Sequence, residues 1–334
     1  MTLSTRFCTA AVFGAALGVA AMMAQAPAPA VPGVPAVPGV TPLPWAYPTN
    51  APTPPAPPNN DPTVHHVPNS TKGLTTKQTT DGFNPPDWHA DHPAMPDIVG
   101  HGRAPDIRAC GFCHLPNGQG KPENASLAGL PAAYIEAQVT AYRTGDRKSA
   151  EPNMGPPENM RKLAVVSNEA EVRIAADYFS KLKYKPWIKV VESKTAPKVN
   201  VFTGMLVALK GPPEPIGQRI IEVPDDFERT ELRDSQSPFT AYVPVGAIKK
   251  GEALATKASD KTIQCAICHG EGLKGLGNVP FLAGRSPSYI VRQMHDIKTG
   301  TRHGGYTPLM KAVVDKLTVE DMVNLAAYTA SLKP

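Results

Sequence analysis

The pentapeptide Cys-Gly-Phe-Cys-His at Cys110 to His114 returns as Cys-Ala-Ile-Cys-His at Cys265 to His269, 155 positions later. Together the two copies use four of the chain's five cysteines, so their chemistry constrains the fold more than any other feature. A bare C-x-x-C suits half a zinc site, a dithiol redox couple or a haem attachment point. Zinc gathers four ligands round one metal, but here the pairs lie far apart and each is followed by a histidine. A thioredoxin-like dithiol has no need of that histidine and belongs beside a βαβ pattern, which the sequence lacks. Haem attachment uses the whole pentapeptide. Two thiols three positions apart reach the two vinyl groups, and the next residue brings an imidazole under the iron. The pattern therefore predicts two covalently attached haem c groups, with His114 and His269 as iron ligands.

The 155-residue shift also carries Leu127–Arg147, LAGLPAAYIEAQVTAYRTGDR, onto Leu282–Arg302, LAGRSPSYIVRQMHDIKTGTR, without a gap. A fixed offset of this kind marks duplication of one domain. A sixth iron ligand has to follow, and methionine, a soft thioether, is the natural candidate. In the second copy Met310 stands in a proline-containing segment before a helical pattern, with His303 as its rival. The first copy offers Met154 and Met160. Tyr178 and Tyr328 match at an offset of 150, which carries Met310 back to Met160 and favours it. The upstream offset places Met154 one position out, and the choice stays open.

Elsewhere the sequence is less specific. Residues 1–26 read as an export signal: Arg6, an apolar run containing Cys8, and the small-residue triplet Ala24 to Ala26. The competing reading is an uncleaved anchor, although the run is marginal for a bilayer span. Residues 27–80 read as a largely disordered tether, since 14 of the 36 residues from Pro27 to Pro62 are proline. Folded structure is expected from about Asp81. The net charge of +5 excludes the dense basic clustering of a nucleic-acid binder.

Taken together, the two attachment motifs and the LAG…Y…Q…TG.R repeat resemble class I cytochromes c, in particular the tandem dihaem cytochromes of bacterial periplasms. The resemblance covers roughly residues 96–187 and 244–334. It implies an all-α fold of two helical domains, each wrapped round one haem, at residues 81–186 and 244–334. Residues 187–243 would connect them with short strands, as their β-branched runs suggest. The resemblance further implies that the Pro280 carbonyl fixes the proximal imidazole of the second haem. Ala125 stands at the matching position of the first copy, which puts the equivalent bond in doubt. Arg147 and Arg302 become candidates for haem propionates, with solvated surface arginines as the alternative. Thr318 and Asp321 form a candidate capping box for the last helix. His89, His92, His101 and His295 read as loop or helix-face residues rather than ligands.

The expected function is single-electron shuttling between redox partner proteins, such as a dehydrogenase or a terminal oxidase, in the periplasm. No catalytic residue is assigned. The competing readings are a dihaem redox enzyme of peroxidase or thiosulfate-oxidising type, and the haem subunit of a dehydrogenase complex.

Overall fold

The computed structural model describes residues 43–50 and 61–334. The signal segment and much of the tether lie outside the described residues. A small hairpin, β1 (Val64–His65) with β2 (Leu74–Thr75), leads into a capped turn, α1 (Thr76–Thr79). The first helical unit follows: α2 (Asp97–Gly100), α3 (Cys110–His114), α4 (Ala132–Thr144), α5 (Gly155–Val166) and α6 (Glu169–Lys181). Its helix ends are written locally. Gly145 closes α4 at φ 82°, a left-handed position that costs glycine little. Asn168 and Glu171 form a reciprocal capping box at the start of α6. Ile135, Ala176 and Phe179 turn inward from α4 and α6 to share one core with Ile98, Val99 and Leu130.

The connector holds more sheet than helix. β3 (Ile188–Ser193), β4 (Thr195–Ala196), β5 (Val199–Phe202), β6 (Met205–Ala208), β7 (Glu214–Pro215) and β8 (Ile221–Pro224) precede α7 (Phe227–Glu231) and β9 (Phe239–Pro244). β9 lies at the centre of a three-stranded sheet, parallel to β3 and antiparallel to β8. The fold is thus helical with small sheets: the connector carries the short strands expected of it, and the β1–β2 hairpin is the departure from an all-α plan.

The second helical unit comprises α8 (Ala247–Thr256), α9 (Ala266–His269), α10 (Pro287–Lys298), α11 (Thr307–Val314) and α12 (Val319–Ser331). Its first and last long helices, α8 and α12, pack most closely at Gly251. A side chain there would overlap the Asn324 carbonyl and the Tyr328 Cβ, so glycine is what lets the two helices approach. Thr318 and Asp321 do form the capping box of α12.

Ordered structure begins well before Asp81. Leu43, Ala46 and Tyr47 are buried in the core of the second unit, beside Met294, Ile297 and Ala150. The Tyr47 hydroxyl donates to Asp296 Oδ1 at 2.7 Å and lies 3.0 Å from His295 Nδ1. Arg292 donates to the Ala46 carbonyl at 2.8 Å. Proline content alone argues for a tether, but one Trp-Ala-Tyr step within it supplies enough apolar surface to dock. Tyr47→Phe is expected to destabilise the protein by about 1–3 kcal/mol, because a buried carboxylate loses a donor. Chemical denaturation of the two proteins checks this.

Candidate functional site

Each attachment motif occupies a single helical turn, α3 or α9, which sets its two thiols on one side and its histidine at the end. The histidines are held alike. His114 Nδ1 lies 2.7 Å from the Ala125 carbonyl oxygen, and His269 Nδ1 lies 2.8 Å from that of Pro280. Burial pushes both imidazoles below their ordinary pKa, so both are neutral near pH 7. A neutral imidazole bonded to a carbonyl must place its one proton on Nδ1, which leaves the Nε2 lone pair free for a metal. The bond at Ala125 forms without proline because only the backbone oxygen takes part. Burial also keeps three of the thiols protonated, with Cys110 pushed up to about 12, Cys265 to about 11 and Cys113 raised as well. All four cysteines are free. Paired thiols, an imidazole with a fixed tautomer and an apolar surround are what covalent haem requires, and the residues fit that group twice.

The methionines separate on structural grounds. Asn168 and Thr318 are both helix N-caps with capping boxes, and Ala164 and Val314 are both buried, each pair 150 apart. The structure therefore keeps the offset that matches Met160 in α5 to Met310 in α11, both half-buried. Met154, 1% exposed, instead packs with Ala150 and Tyr47 in the second unit's core.

Arg147 and Arg302 are not solvated. Both are buried where the two units meet, and their backbones pair as an antiparallel bridge. Arg147 donates to Gln138 (2.9 Å), Tyr289 (2.8 Å) and Gln293 (2.9 Å). Arg302 donates to Gln293 (2.9 Å), Tyr134 (3.2 Å) and Gln138 (3.0 Å). Each partner has its repeat mate in the other set, so the network is a two-fold exchange between the copies. The tyrosines and glutamines of this network were visible as matches in the repeat, but their roles were not, because reciprocity needs both copies face to face.

The other histidines near the motifs have hydrogen-bond partners of their own. His89 Nε2 pairs with Asp234 at 2.8 Å, and His92 Nε2 with Asp87 at 3.1 Å. His101 bonds Asn84, and His303 is exposed and bonds the Gly300 carbonyl. Among the described residues no group of three or more His, Cys, Asp or Glu could hold a metal ion. Nor, among these residues, is any helix long and apolar enough to cross a membrane.

No family model matches the chain. It is 28% identical over 233 residues to a thiosulfate dehydrogenase electron acceptor of Thiomonas intermedia, covering 68% of this chain and 80% of that one. It is 38% identical over 91 residues to cytochrome c4 of Azotobacter vinelandii, covering 25% of this chain and 42% of that one. It is 35% identical over 82 residues to cytochrome c-554(548) of Halomonas halodenitrificans, covering 24% of this chain and 96% of that protein. The chain belongs to the class I cytochromes c. A solved cytochrome c4 structure from Acidithiobacillus ferrooxidans superimposes with a TM-score of 0.43 at 23% identity, covering 67% of this chain and 98% of that one.

This cytochrome is a tandem dihaem protein whose cofactor is haem c and whose function is electron transfer. Haem c supplies an iron that accepts and releases one electron at a time. The chain's part is to hold the iron's ligands, exclude water and set the charge around it.

Met154→Ala should lower stability by about 2–5 kcal/mol, the cost of truncating a buried methionine, and leave the visible spectrum unchanged. Met160→Ala and Met310→Ala should each convert one haem to a high-spin or ligand-exchanged form. Optical spectra of the three purified variants decide the matter, and a spectral change in Met154→Ala would move the ligand there.

Proposed function

We infer that this protein is a periplasmic one-electron carrier, with haem domains at residues 81–186 and 244–334. Cys110 and Cys113 would hold the first haem with His114 and Met160 as axial ligands. Cys265 and Cys268 would hold the second with His269 and Met310. The Ala125 and Pro280 carbonyls would orient the two imidazoles, and Arg147 and Arg302 would face the propionates. The observation that carries this reading is the equivalence of the two histidines. Both are neutral, both are bonded through Nδ1 to a carbonyl, and both precede a half-buried methionine at matched positions. Two irons with one ligand set would suit electron storage and release.

Partner proteins with redox centres are implied by the relatives, one of which is named as an electron acceptor of thiosulfate dehydrogenase. That likeness extends over 80% of the relative's length. It favours, as the second reading, an acceptor or haem subunit serving a dehydrogenase.

An optical redox titration of the exported protein tests the carrier reading. Two reversible one-electron steps are expected, with no sustained consumption of peroxide or thiosulfate by the protein alone. Steady turnover of either compound would make it an enzyme.

A further inference from the structure

The two attachment motifs share a sequence pattern but not an environment. Phe112 and Ile267 occupy the same position of the pentapeptide; Phe112 is 8% exposed and Ile267 61%. The difference continues along the chain that follows. Lys121 is 6% exposed while its repeat mate Leu276 is 59% exposed. Pro116, Gln119 and Glu123 are buried, whereas their mates Glu271, Lys274 and Asn278 are exposed.

One segment contributes directly to the contrast at the motif itself. The stretch from Asp226 to Ser237, which the repeat does not contain, lies over the first motif and is fastened there at several points. Arg233, with its backbone in the left-handed region at φ 58°, donates to the Phe112 carbonyl at 2.8 Å. Its guanidinium also lies 3.6 Å from the centre of the Phe112 ring, a cation–π contact. Asn117 donates to the Ser235 carbonyl at 2.8 Å, and Gln119 to that of Ser237 at 3.1 Å. From the other side Trp88 donates to the Leu232 carbonyl at 2.7 Å, and Leu232 packs with Trp88 and Val67. Among the described residues no comparable contact covers α9, where Cys268 itself is exposed.

We propose that Asp226–Ser237 is a lid closing the attachment face of the first haem, so that partners exchange electrons with the second haem and the first is reached through it. The proposal rests on the dihaem carrier reading above. With haem bound at both motifs, one electron from a reduced partner protein, which is oxidised, would enter at the second site and reach the first through the chain's interior. The reverse order discharges the protein to an oxidised partner. The physical reason is access: a partner can bring its own redox centre close to the open face but not to a face already packed with Arg233, Leu232 and Trp88. The same cover excludes water, which favours the uncharged ferrous form and raises the first midpoint potential.

Three readings on the full-length holoprotein test this. In hydroxyl-radical footprinting, Ile267 and Leu276 should be labelled while Phe112 and Leu115 are protected. The double variant Arg233→Lys with Asn117→Ala keeps the charge but loosens the lid. It should lose the protection of Phe112 and lower the first midpoint potential, leaving the second unmoved. With a soluble mono-haem cytochrome c as electron donor, Ile267→Glu should slow reduction several-fold, and Glu228→Lys on the outer face of the lid should not. Equal labelling of the two motifs, a shift confined to the second potential, or a rate sensitive to Glu228→Lys rather than Ile267→Glu would overturn the lid. Pyridine haemochrome counts accompany each protein. Fewer than two haems in the parent protein would instead overturn the dihaem reading on which the lid depends.

Discussion

The bond from a histidine Nδ1–H to a backbone carbonyl is the contact on which each half of this protein is organised. Without it a buried neutral imidazole is free to choose its tautomer and rotate, and the lone pair at Nε2 has no fixed direction. The bond requires the loop carrying Ala125, or Pro280, to return beneath the attachment turn. That return is secured by further backbone contacts: Gly120 N–H donates to the His114 carbonyl at 2.9 Å, and Gly275 N–H to that of His269 at 2.7 Å. Both glycines have positive φ, and a Cβ on Gly120 would press on the Ala125 carbonyl itself. The loop, the imidazole and the thiols are therefore one device, built twice.

Duplication brings the two copies together at a seam away from the attachment turns, and that seam is polar. Two buried guanidinium groups share two glutamines and two tyrosines across the seam, and no carboxylate is among their recorded hydrogen-bond partners. Buried charge of this kind is costly unless compensated, and in the proposed reading haem propionates would supply the counterions. Around this symmetric centre the molecule is asymmetric. The connector sheet, the lid and the Tyr47 segment all add to one side or other of a duplicated plan, and they give the two haem sites different surroundings from matching ligands.

Much of the site could be read from the sequence because covalent attachment demands fixed residue types at fixed spacing. The attachment motifs, the repeat register and the Thr318–Asp321 cap are local statements, and local chemistry decides them. The strands were partly legible as β-branched runs, but the parallel pairing of Ile188–Ser193 with Phe239–Pro244 joins segments some fifty residues apart that no local pattern links. Arg147 and Arg302 look like turn-end surface residues until the partner domain is in place. Tyr47 is hidden by composition, since its prolines argue for an extended chain whether or not that chain docks. The lid is the least legible: nothing in the acidic, polar run from Asp225 to Asp234 marks it as a cover, because its role depends on Phe112, Asn117 and Gln119 lying beneath it.

Carbon monoxide binding to the fully reduced protein, followed in the visible spectrum, tests most directly the claim that both irons carry a complete and matched ligand set. The account predicts no shift at either haem, because histidine and methionine would together complete the ligand set of each iron. Ready formation of a carbon monoxide complex at one haem would show an open or labile coordination position there. It would contradict a pair of equivalent carrier sites and turn attention to a substrate.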